Sequence, residues 1–227
     1  MYACAEDSTA SREWQFELTP YLWFINISGD TSVRGNSGTS DMEYSKISDM
    51  LEESFAVYHE GHNGEFGYIV DASYMQLKGE EDTAIGSVGY KSEQTVLEVL
   101  GFYSQHVLSD SRIDYLAGIR YNDAKITLSR NNSYSRGIDW VDPVVGLRWV
   151  THINDKSKIS IRGDIGGFGL GSQHTLMGAV TYDYNPWKHF GFKVGVKAVN
   201  TYYTQEKNSY KTDSTTWGPL VGFNILW

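Results

Sequence analysis

Residues 217–227 read Trp217-Gly218-Pro219-Leu220-Val221-Gly222-Phe223-Asn224-Ile225-Leu226-Trp227. Successive side chains of an extended chain point to opposite faces, so Trp217, Pro219, Val221, Phe223, Ile225 and Trp227 fall on one face, apolar to its last position. Such a face suits a strand whose outer side meets lipid, where about 9–11 residues cross the hydrocarbon. No segment reaches the roughly 18–20 consecutive apolar residues that a membrane helix needs. If this chain spans a membrane, it does so with strands.

Upstream segments repeat the two-faced pattern. Phe16, Leu18, Pro20, Leu22 and Phe24 share one parity against Gln15, Glu17 and Thr19, and Tyr21 and Trp23 then turn the second parity aromatic. Val70 and Ala72 alternate with Asp71, Leu97 and Val99 with Glu98, and Tyr115, Ile119 and Tyr121 with Asp114 and Arg120. Val145 and Leu147 oppose Asp142 and Arg148, Ile161 and Ile165 oppose Arg162 and Asp164, Val180 and Tyr182 oppose Asp183, and Val194 and Val196 oppose Lys193 and Lys197. A weaker strand over 55–60 brings the count to ten, with eight or twelve as alternatives. The expected fold is all-β: a transmembrane antiparallel up-and-down barrel. A soluble sandwich or lipocalin-like barrel would also alternate, with its apolar parity inside. Aromatics near strand ends, at Tyr21, Tyr103, Tyr121, Trp149 and Tyr184, favour a lipid-interface girdle and hence the membrane reading.

Composition agrees. The chain has 227 residues, 14% aromatics, 23 glycines and four prolines, a mix that suits many strands and tight turns in one domain. A net charge of -9 without a Lys/Arg run argues against a nucleic-acid partner. A lone cysteine, Cys4, supports neither an internal disulfide nor a Cys-based metal site. Ala3-Cys4-Ala5 has the small-x-small form of a signal-peptidase site, so residues 1–5 are expected to be a signal-peptide remnant and 6–227 a single barrel domain.

Turn-like links near Asn63-Gly64, Ser109-Asp110, Asn154-Asp155 and Pro186-Trp187 alternate with longer stretches over 28–54 and 79–90. Short turns on one side and long loops on the other are the asymmetry of bacterial outer-membrane barrels, and an even strand count puts both termini on the periplasmic side. The expected partners are outer-membrane lipid, lipopolysaccharide and the outer-membrane assembly machinery. Val221, Phe223, Ile225 and Trp227 form the expected assembly signal.

Three motifs carry a family resemblance. Asp142-Pro143-Val144-Val145-Gly146-Leu147-Arg148-Trp149, Arg162-Gly163-Asp164-Ile165-Gly166-Gly167-Phe168-Gly169-Leu170-Gly171-Ser172 and Gly218-Pro219-Leu220-Val221-Gly222-Phe223, with an opening strand containing Pro20-Tyr21-Leu22-Trp23, resemble a family of small proteobacterial outer-membrane β-barrel proteins of porin-like or opacity-protein-like type. The resemblance spans most of the chain. It implies a Gram-negative outer-membrane location and the barrel fold, and it assigns no reaction, cofactor or catalytic residue. The chain departs from the family's commoner terminal Phe at Trp227.

The parity opposite the apolar face defines the candidate site, a lumen lined by Glu17, Asp71, Glu98, Asp114, Arg120, Asp142, Arg148, Arg162, Asp164, Lys193 and Lys197. Ten strands enclose a space that side chains largely fill, and an unpaired charge there is costly. Two outcomes are open: a salt-bridged plug in a structural or surface barrel, or a narrow channel lined by the same charges. In the long first loop, Ile47, Met50 and Leu51 have helical spacing, and Asp49 with Glu52 resembles a capping box, so a short helix could lie at the mouth.

Catalytic patterns are weak. His59 and His62 point to opposite strand faces and cannot chelate one metal alone. Ser104, His106 and Ser109 read as strand-end polar residues beside a turn, and glycines 166–171 lack phosphate-loop spacing. The expectation is no enzyme, no metal and no cofactor, with a lipid-modifying or proteolytic barrel as a further alternative.

Overall fold

A computed structural model describes residues 13–33, 36–83, 86–129, 133–205 and 210–227; the signal-peptide expectation at 1–5 lies outside the described residues. Twelve strands form one sheet in which β1 (Gln15–Trp23), β4 (Leu51–His62), β5 (Phe66–Thr83), β6 (Gly86–Leu108), β7 (Ser111–Ser129), β8 (Ser133–Asn154), β9 (Ser157–Gly166), β10 (His174–Tyr184), β11 (Phe190–Gln205) and β12 (Tyr210–Leu226) run antiparallel in order. Pairing of β1 with β12, through Leu18↔Ile225 and Leu22↔Val221, closes them into a ten-stranded barrel. Closure removes the free sheet edges that would be untenable in hydrocarbon. The strand ending at Trp227 is thus the closing strand.

Two further strands, β2 (Asn26–Val33) and β3 (Asn36–Met42), form a hairpin that continues the wall beside β12, and α1 (Tyr44–Met50) returns the chain to β4. The stretch expected as a long first loop is therefore mostly structured. The second long stretch, over 79–90, is likewise not a loop: β5 and β6 keep pairing to Thr83↔Gly86. Alternation of polar residues still satisfies a two-faced ladder, but both faces then meet water, so composition there resembles a loop.

The outward parity forms the belt. Ile119, Val145, Val180, Val196 and Val221 are all exposed on the outer wall, a continuous apolar surface that water would disfavour and lipid would cover. The belt ends sharply at two adjacent rows of outward positions, Asp123 with Asp139 and then Gln76, Glu93 and Lys125, set by the register pairs Asp123↔Asp139, Gln76↔Glu93 and Glu93↔Lys125. Nine residues of β7, from Ile113 to Tyr121, cover the apolar span, roughly 20–25 Å at ordinary strand rise and tilt. Beyond it β5–β8 stand as a tall polar wall, whereas β9 and β10 stop near the belt's edge. Tyr103, Trp149 and Tyr184 face out, as a girdle requires, but Tyr21 does not. It is buried in the lumen with its hydroxyl on Asp71, because it shares parity with Glu17 and Thr19.

Prolines fall at ladder breaks. Pairing of β1 with β12 skips Thr19 and Pro20, where a strand lacking one N–H loses least. The helix also differs from its expected start: α1 begins after Glu43 and ends at Met50, so Asp49 sits in its last turn and the Asp49/Glu52 capping box does not form. What fixes α1 is packing. Ile47 is fully buried against Ile25 and Leu77, with Trp23, Met50 and Met75 around them, on the lumen side of the wall.

Candidate functional site

The lumen contains two layers of charge. In the layer near the short turns, Arg148 bridges Glu60 at 2.6 Å and Asp114 at 2.8 Å, and Arg112 holds the same two carboxylates at 3.5 and 3.1 Å. Across the lumen Lys193 meets Glu17 at 2.6 Å and Asp183 at 3.3 Å, and Lys158 meets Glu17 at 2.8 Å. Tyr58 ties the two sides together. Its hydroxyl bonds Glu60 and accepts from Arg148, and Lys193 lies 4.6 Å from its ring centroid. Four carboxylates, Glu17, Glu60, Asp114 and Asp183, thus face four cations, Arg112, Arg148, Lys158 and Lys193.

The second layer lies toward the loop end. Arg120 bonds Glu98 at 2.5 Å and Asp164 at 2.8 Å, and Arg162 bonds the same two carboxylates, each at 2.7 Å. Lys197 reaches Asp71 at 3.1 Å. Three carboxylates again meet three cations. Between the layers, on the β5–β8 side, Ile69, Leu100, Phe102, Leu116 and Val144 form a small apolar core, and Arg148 stacks 4.8 Å above the Phe102 ring. Low dielectric strengthens each pair and makes any orphaned charge expensive, so equal counts in each layer are the arrangement that burial demands.

All eleven lumen positions read from parity face inward. Ten join the two networks, and Asp142 does something else: it accepts from the Ser172 backbone N–H at 2.6 Å and from the Ser172 hydroxyl at 3.0 Å, clamping the β9–β10 loop over the wall. That explains the glycines of 166–171. A Cβ on Gly171 would collide with the Val141 carbonyl, and Gly167 has φ +91°. Parity reasoning left out Glu60, Arg112, Lys158 and Asp183, which complete the turn-end layer.

Other candidates separate. Ser104 donates to Asp114 rather than to a histidine, at 2.6 Å. His59 faces out, stacked between Phe16 and Trp227, while His62 faces in. Among the described residues no three His, Cys, Asp or Glu side chains gather as a metal-holding group.

The charge layers divide the interior into two spaces. A chamber of about 90 Å³ lies among the turn-end charges, and one of about 240 Å³ opens toward the loop end, floored by Glu98, Arg120 and Lys197. Asp71, Met177 and Lys197 border both. Just beyond the belt Lys91 donates to Glu93 at 2.9 Å, and that hydrogen bond holds the Glu93 carboxyl below its ordinary range and raises Lys91.

A closed antiparallel barrel of this kind has counterparts among solved structures. The fold is that of a bacterial outer-membrane barrel. The outer membrane protease OmpT from Escherichia coli superposes with a TM-score of 0.56 at 9% identity, over 94% of this chain and 97% of that one. The translocator domain of the autotransporter NalP from Neisseria meningitidis gives 0.48 at 11% identity over 95% and 89%, and Ail of Yersinia pestis 0.44 at 12% identity over 95% and 99%. At 9% identity the OmpT likeness shows the fold alone. No protein-family model and no curated protein matches the sequence.

Proposed function

We propose that the protein is a non-conducting barrel of the outer membrane, with the short turns and both described chain ends toward the periplasm and the tall wall of β5–β8 displayed outward. The observation carrying this reading is the pair of charge-matched layers, which fill the lumen with side chains bonded to one another rather than to a hydrated path. An ion passing either layer would have to break bonds that Arg148 or Arg120 makes to two carboxylates at once. The polar row at Lys91, Glu93 and Lys125 supports the placement of lipid headgroups, including lipopolysaccharide, at the outer edge of the belt. The chain's own chemistry supports a structural or surface role over an enzyme, since the carboxylates and cations of the two charge layers are committed to ion pairs and Asp142 to the Ser172 clamp.

The test is single-channel recording of the refolded barrel in a planar bilayer. The wild type is expected to give no discrete steps at moderate voltage. The paired variant Glu17→Ala/Lys193→Ala, which removes both signs together, is expected to open the turn-end layer and admit small steps. Regular unitary steps from the wild type would overturn the closed-lumen reading.

A further inference from the structure

The wall beside the loop-end chamber is interrupted. β4 pairs with β1 only from Gln15↔His62 to Tyr21↔Ala56, although both strands continue beyond that point. Over 51–55, β4 keeps its ladder to β5 alone, while β1 stays on β12 and runs on into β2. The wall is therefore unpaired between these strands, under α1. The chamber reaches this window, being lined there by Trp23 and Ile25 on one side and by Ser54, Phe55 and Ala56 on the other. The rim is apolar and exposed outward: Leu22 is 52% and Phe55 59% accessible, and Tyr44 on α1 packs edge-on against Phe24 above the window. Glu53, beside Gln76, marks the end of the belt at this strand, so the window lies at its loop-end edge, where amphiphile headgroups sit.

Inside, above the charged floor, the wall offers carbon, hydroxyls and Gln94. Asn122 adds an amide that is 6% accessible, lines the chamber and has an Nδ2 without a hydrogen-bond partner. A buried donor left unpaired is costly, and a ligand atom that accepts from it recovers that cost. The floor charges are already balanced, with Arg120, Arg162 and Lys197 against Glu98, Asp164 and Asp71. An entering anion or cation would upset that balance, whereas a neutral hydroxyl or amide head would not.

From these observations we infer that the chamber binds the head of an uncharged single-chain amphiphile, which slips sideways from the membrane through the β1/β4 window and leaves its alkyl chain in lipid between Leu22 and Phe55. This goes beyond the closed-lumen reading and fails separately from it: channel steps would leave the chamber standing, and an empty chamber would leave the lumen closed.

The experiment uses the folded barrel in phosphatidylcholine vesicles, with 2-bromodecan-1-ol as probe and Trp23 and Trp140, which line the chamber, as reporters. Bromine quenches indole on contact, so binding reads as a saturable component above the linear quenching of belt tryptophans. That component is expected to disappear in Trp23→Phe/Trp140→Phe, to be displaced by decanol, and to weaken about five- to tenfold in Asn122→Leu, the range for losing one hydrogen bond. It is expected to vanish when Ala124→Phe and Thr201→Phe fill the chamber, or with Ala124→Phe alone if the double variant loses heat-modifiable migration. Decyl sulfate and decyltrimethylammonium, at equal membrane density, are expected to compete at least about tenfold less well than decanol. Purely linear quenching unchanged by filling the chamber would overturn the site. Equal competition by either charged amphiphile would overturn the class of ligand.

Discussion

Arg148 holds both Glu60 and Asp114, stacks on Phe102 and reaches the Tyr58 hydroxyl, so one side chain links β4, β7 and β8 across the lumen. Replacing it with Met keeps most of the volume but leaves two buried carboxylates short of their main cation. Removing one partner of a buried pair costs about 3–5 kcal/mol, more than the lost attraction alone, because the surviving charges stay desolvated. Arg148→Met is therefore expected to lower barrel stability by that amount in urea titrations from lipid vesicles. The double variant Arg148→Met/Glu60→Gln is expected to recover part of it; no recovery would show that charge pairing is not what this residue contributes. At this scale the sequence was informative about direction and silent about depth. Alternation is enough to point Arg148 and Asp114 inward, since a strand offers only two faces. The same parity contains Arg112 and Asp183, but parity does not say which inward residues near a turn remain in the packed interior. Glu60 lay in the least regular strand, and its role depends on β4 extending from Leu51 to His62.

Among the elements, α1 shows the limit of local signals. Its seven residues are too few for helix propensity to hold them alone, its N-cap Glu43 makes no side-chain capping bond, and an apparent capping box at Asp49 falls in the last turn. Ile47 decides its position, being buried with Ile25 from the β1–β2 link and Leu77 from β5, contacts that no local pattern encodes. Ile47→Ala removes that anchor at an expected cost of about 2–4 kcal/mol to local docking, in the range for large-to-small core changes. Because α1 sits outside the ladder, the loss is expected as faster protease cleavage over 43–51 with barrel stability nearly unchanged. An equal drop in global stability would show instead that α1 is part of the barrel's cooperative unit. The β9–β10 loop was legible as glycine-rich; its clamp on Asp142 was not, because the partner lies on another strand.

For the whole molecule, what made the barrel legible was repetition: one weak alternating segment fits many folds, but ten in succession, with an apolar face ending abruptly at charged positions, fit a wall between lipid and a polar interior. What remained illegible was strand length, since β5–β8 alternate as regularly in water as in the belt. The boundary at Asp123, Asp139 and Glu93 therefore carries a quantitative expectation. Val145 lies midway along the apolar outer face of β8, whereas Asp139 lies on the same strand and parity beyond the belt edge. A lysine on the lipid face of a barrel costs about 2–4 kcal/mol at the bilayer midplane and falls toward zero at the interface. Val145→Lys is thus expected to destabilise the folded barrel by about that amount in vesicles, and Asp139→Lys by less than about 1 kcal/mol. In a soluble barrel both positions would face water, and both lysines would be nearly neutral. Equal, small effects at the two sites would remove the membrane from the account of this fold, because nothing else in the structure distinguishes Val145 from Asp139 so strongly.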